Sequence, residues 1–115
     1  MVLLDEGLEE MASRLAVDIT NGQWGSGTTL PTAADTGLET PIAASLLALD
    51  SATASGNSVL FQHTVPSTTA NSNNFSEFEL QFDNGDSLNR SLGATFAKTA
   101  SFDVTTLITV NFIRA

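Results

Sequence analysis

Phe78, Leu80 and Phe82 alternate with Glu77, Glu79 and Gln81, and a two-residue period leaves a chain few options. Successive strand side chains point to opposite faces, so this stretch reads as a half-buried β-strand with its carboxylates on a solvated face. The signature recurs. Val59, Phe61, His63 and Val65 alternate with Leu60, Gln62 and Thr64, and Pro66 stops the run. In residues 104–113, Ile108, Val110 and Phe112 share one face, while Leu107, Thr109, Asn111 and Ile113 share the other. Apolar residues on both faces indicate a central strand or one covered by a partner. Turn residues punctuate these runs. Ser55-Gly56-Asn57 predicts a hairpin between residues 42–53 and 58–65, and Asn84-Gly85 a tight turn into Leu88, Arg90 and Leu92. The serine, threonine and asparagine of residues 67–74 read as an exposed loop.

The first residues follow another period. Leu4, Leu8, Met11 and Leu15 form one stripe of a helix over residues 2–16, with Asp5, Glu6, Glu9 and Glu10 on the other side. Glu10 stands four residues before Arg14, the favourable order for a helical ion pair. A single apolar stripe fits a helix docked on a sheet; its sharper use is as a contact element for a neighbouring subunit. With 115 residues the chain has room for one core. The expected fold is mainly β: an antiparallel, jelly-roll-like β-sandwich over residues 17–115, with one short N-terminal helix over residues 1–16.

Thirteen acids against four bases give a net charge of −9, and Lys98 is the only lysine. A surface of that sign repels phosphate backbones, which argues against direct nucleic-acid binding. The same balance suits an ordinary soluble surface or a protein working in concentrated salt. No cysteine is present, so disulfides and thiolate metal sites are excluded. No apolar run reaches the length of a membrane-spanning helix. The start, Met-Val-Leu-Leu and then Asp-Glu, lacks the basic region of a secretory signal.

Residues 25–39 read GSGTTLPTAADTGLE, just after Trp24. Further on come Ser76-Glu77-Phe78-Glu79-Leu80, then Leu88-Asn89-Arg90, then Ala97-Lys98-Thr99 ahead of the terminal alternating run. In this order the chain resembles the small β-structured virion proteins and tail-fibre N-terminal domains of tailed phages and related archaeal viruses. The likeness spans nearly the whole chain, although Ser26 stands where that pattern often has threonine and Glu79 where a glycine is common. It implies a structural module of a virus particle, assembled in the host cytoplasm with copies of itself and with other capsid or tail proteins. A multimeric appendage on the capsid surface or vertex, a turret or decoration protein, is the leading expectation. A tail-fibre or baseplate component, with a possible host glycan as ligand, is the alternative. The resemblance carries no catalytic residues and no cofactor.

The residues themselves add little chemistry. His63, the only histidine, has no serine in a nucleophile-elbow context and no second histidine to share a metal. Asp83 and Asp86 bracket Asn84-Gly85 without calcium-loop spacing and read as turn formers. Residues 25–29 look superficially like a phosphate loop but lack its Gly-Lys-Ser/Thr ending, so they read as a surface loop whose glycines allow close backbone packing. No catalytic, metal or cofactor residue is expected. Trp24 could stack on a sugar but fits a core or interface position better. With Leu4, Leu8, Met11 and Leu15 it makes up the candidate contact set.

Overall fold

The computed structural model describes residues 1–114. Among them, helix α1 (Asp5–Asp18) precedes seven strands: β1 (Ile19–Gly25), β2 (Leu47–Ala48), β3 (Ser51–Ser55), β4 (Ser58–Val65), β5 (Asn73–Phe82), β6 (Ser91–Lys98) and β7 (Val104–Asn111). They form two antiparallel sheets, ordered β2-β1-β5-β6 and β3-β4-β7. This is the expected mainly-β, two-sheet sandwich with an N-terminal helix.

Alternation decides what lies between the sheets. Phe78 and Leu80 of β5 meet Val59 and Phe61 of β4, with Ile19 and Ala12 completing one cluster. Ile42, Val65, Ala70 and Phe75 form a second, and Trp24 packs against both. Helix α1 packs against β3 and β4. Its buried stripe is turned from the expected one, because Leu8 and Ala12 are enclosed while Leu4 and Met11 are exposed. Close approach of helix to sheet selects the small Ala12 for the contact line and leaves Met11 at the margin. Leu15 is half-buried against the first cluster. The Glu10–Arg14 pair forms at 3.0 Å on the open side, where such pairs contribute little.

Residues 42–53 do not make one strand. A short 3-10 turn (Ala43–Ser45) and the two-residue β2 precede β3. The break lies where the chain changes sheets: the Leu49 N–H bonds Thr20 O in the first sheet, and the Asp50 N–H bonds Gln62 O in the second. Residues 67–74 are also more than an exposed loop. Ala70 and Ser72 adopt left-handed conformations (φ 56° and 66°), and Ala70 is buried. Under this turn the fully buried Lys98 donates to Asn71 Oδ1 at 2.7 Å and Thr99 O at 3.0 Å. The last two residues of the segment already belong to β5. Finally, β7 is not central; it is an edge strand.

Candidate functional site

Glu77 and Glu79 do not form a solvated face. They do point away from the inter-sheet core, but the loop of residues 26–40 folds over them, leaving Glu77 fully buried and Glu79 nearly so. The strand opposite makes this possible: Gly25 pairs with Glu77, and Gln23 with Glu79. A Cβ at Gly25 would lie 2.5 Å from Glu77 Oε2, and one at Gly27 would lie 2.6 Å from it. Both glycines are therefore required by close approach rather than by turn geometry.

The Glu77 carboxylate holds the loop. Oε2 accepts the N–H of Gly27 at 2.7 Å and of Thr40 at 2.9 Å. Oε1 accepts the N–H of Glu39 at 2.9 Å and Arg90 Nε at 2.7 Å. Next to it, Ser76 Oγ donates to Gly27 O at 2.7 Å. Arg90, whose side chain is 5% exposed, reaches on with Nη1 to Asp35 Oδ2 at 3.2 Å and ties down the middle of the loop. The backbone donors that give residues 25–29 their phosphate-loop look are thus partly taken by the chain's own anion. Arg90 is distant in sequence but adjacent in space.

Burial pushes the Glu77 carboxyl up, yet the Arg90 guanidinium and the three backbone N–H groups outweigh it and hold the group below its ordinary 4.5. A carboxylate with four donors is a poor base and a poor metal ligand; its role is to fix a loop. Beside the clamp lies a shallow polar pocket of about 160 Å³, lined in part by Thr32, Asp35, Gly37, Asn89 and Arg90. Arg90 Nη2 and Glu79 Oε2 are buried and have no hydrogen-bond partner.

Trp24 is half-buried, with its ring packed against both hydrophobic clusters. Its ring stacks on Phe75 at 5.1 Å, with Phe78 and Phe96 at 5.3 Å and 5.6 Å. Of the helical stripe, Leu8 faces the protein, Leu15 is half-buried, and Leu4 and Met11 face outward, so the candidate contact set is not gathered in one place. Asp83 and Asp86 are exposed on their turn. Among the described residues no group of three or more histidine or acidic side chains is arranged to hold a metal ion.

His63 is fully buried with its ring 5.3 Å from Phe78, and neither nitrogen makes a hydrogen bond of acceptable geometry. Burial pushes its pKa below 6.5, against weaker opposition from the Gly22 backbone, Asp50 and the Ser45 backbone. The sign follows directly. Below pH 6.5 the unfolded chain takes up a proton that the folded chain refuses, so stability falls. Below 4.5 Glu77 adds a second loss, since the folded state keeps it ionised while the unfolded state protonates. We expect Tm to fall measurably between pH 7 and pH 5. The His63→Leu variant should be nearly flat over that range in a calorimetric titration, and an unchanged slope would remove His63 as the cause.

No protein-family model, no curated protein and no solved structure matches the chain. Its sites therefore have to be read from their own geometry.

Proposed function

We propose that this chain is a structural protein of a tailed virus particle, assembling in many copies as an appendage of the capsid surface or vertex. The observation that carries the reading is the solvent face of the second sheet. Side chains there, from β3, β4 and β7, are serine, threonine, glutamine, asparagine and leucine, and the Asp50 carboxylate, just before β3, accepts hydrogen bonds from Gln62 and Thr64 at one end of the face. Leu60 and Leu107 stand out from it, 42% and 61% exposed. In a chain of net charge −9 this sparsely charged face is a surface on which copies can meet with little repulsion. Opposite it, the Glu77 clamp turns a long loop into a rigid layer, which suits a building block whose work is mechanical. The residues that carry the resemblance to small virion proteins include the two glycines and the glutamate of that clamp. Many modest contacts repeated over a particle give strong assembly through multivalency.

Quantitative mass spectrometry of purified particles tests this. Hundreds of copies per particle indicate capsid decoration, and tens indicate a vertex. A handful of copies located at the tail would shift the reading to a tail-fibre or baseplate component. Absence from particles would end the virion assignment.

A further inference from the structure

A sheet edge is a template for another strand, and folded proteins blunt their edges. Four edges are present in this sandwich. β2 is only two residues long. β3 is a short run of small residues with α1 packed against it. β6 carries a register shift against β5, contains Gly93 and ends at Lys98, so its ladder is interrupted. β7 has none of these devices. It pairs with β4 in unbroken register over its whole length and contains no charge, proline, glycine or bulge.

The direction of its free groups can be worked out. Phe112 donates its N–H to Asn57 O just beyond the last paired residues. Hydrogen bonding alternates along an antiparallel ladder. Val104, Thr106, Ile108 and Val110 therefore bond to β4, whereas Thr105, Leu107, Thr109 and Asn111 turn their N–H and C=O groups to the open side. No described strand or helix pairs with them.

We infer that β7 is a self-association edge: two copies pair their β7 strands antiparallel across a two-fold axis, making one continuous six-stranded sheet. The occupant is a second copy for two reasons. An antiparallel edge is complementary to itself, so a two-fold axis satisfies both strands with one set of contacts. A basic partner would be drawn to the acidic helix and loops, whereas the uncharged edge is where two chains of −9 meet at least electrostatic cost. Pairing Leu107 with Thr109 of the other copy, and Thr105 with Asn111, engages every outward group. It also brings the two Leu107 side chains, now in solvent, onto one shared face. This deepens the assembly reading by naming its surface and partner, and it stands or falls apart from the virion assignment.

The test is absolute mass by light scattering, over a concentration series at low and at molar salt, for the wild-type chain, Leu107→Lys and Thr109→Pro. The lysine puts like charges into the paired edge. The proline removes an N–H that points outward and leaves the β4 ladder intact. We expect dimers or even-numbered multimers for the wild type, strengthened by salt, and at least a tenfold weaker association for both variants with far-UV spectra unchanged. A wild-type monomer at every concentration and salt would overturn the inference. So would association that survives in a folded Leu107→Lys or a folded Thr109→Pro chain. Copy counting on particles is blind to either result, so failure of the edge and failure of the virion role are separable.

Discussion

Glu77→Ala should cost about 3–5 kcal/mol of folding stability, the penalty for breaking a buried ion pair by deleting one partner. The loss is large against the 5–15 kcal/mol that holds a typical domain together. Four donors lose their acceptor at once: the N–H groups of Gly27, Glu39 and Thr40, and Arg90 Nε. Water can reach some of them only if residues 26–40 lift from the sheet. The variant should therefore expose that loop to proteolysis well before the sandwich unfolds. Glu77→Gln is the informative companion. It keeps the volume but places an amide NH₂ among donors, so it should lose most of the same stability at pH 7. Its gap from wild type should narrow between pH 7 and pH 3, because the folded-state advantage of the carboxylate declines as pH falls below 4.5 toward its lowered folded pKa. Urea denaturation at both pH values, with limited proteolysis of the loop, measures this. A Glu77→Ala chain with wild-type stability and a protected loop would show that Arg90 and the glycines hold the loop unaided.

The misreading of Glu77 shows where sequence periodicity stops being informative. Alternation with Phe78 and Leu80 correctly assigned the face, since Glu77 does point away from the inter-sheet core. It could not say that a loop fifty residues earlier would cover that face, because coverage is a tertiary fact. One signal was there to be used. Gly25 and Gly27 permit close packing, and a carboxylate on the facing strand is what packs against them. In the sequence Arg90 stands only in an alternating run and in Leu88-Asn89-Arg90, and neither context names a partner. Its partners, Glu77 and Asp35, are 13 and 55 positions away. The helix was legible in type but not in orientation: the apolar stripe was counted from large residues, and the contact line is set by Ala12. Likewise, apolar side chains on both faces of β7 fit either a central strand or a partner-covered one. The structure places it at an edge, which leaves the second of those alternatives as the basis for the pairing inferred above.

Trp24→Ala should cost about 3–5 kcal/mol, as for a core aromatic truncated to a methyl group. Trp24 touches both hydrophobic clusters, so its loss opens a cavity between them and leaves Phe75 and Phe96 without their common neighbour. The indole N–H complicates the account usefully, for it is buried and has no partner. An unmet donor in an apolar site costs roughly 1–3 kcal/mol. Trp24→Phe keeps a ring against Phe75 while removing that donor, so its net loss should stay below about 1.5 kcal/mol despite the smaller volume. Far-UV circular dichroism in urea is the suitable probe, because the substitution removes the only tryptophan signal. The pair of variants also separates two roles for this residue. An aromatic serving a sugar from the surface would lose ligand on mutation and leave the unfolding midpoint in place. An aromatic joining two clusters must move the midpoint, strongly for alanine and weakly for phenylalanine, whatever the protein binds.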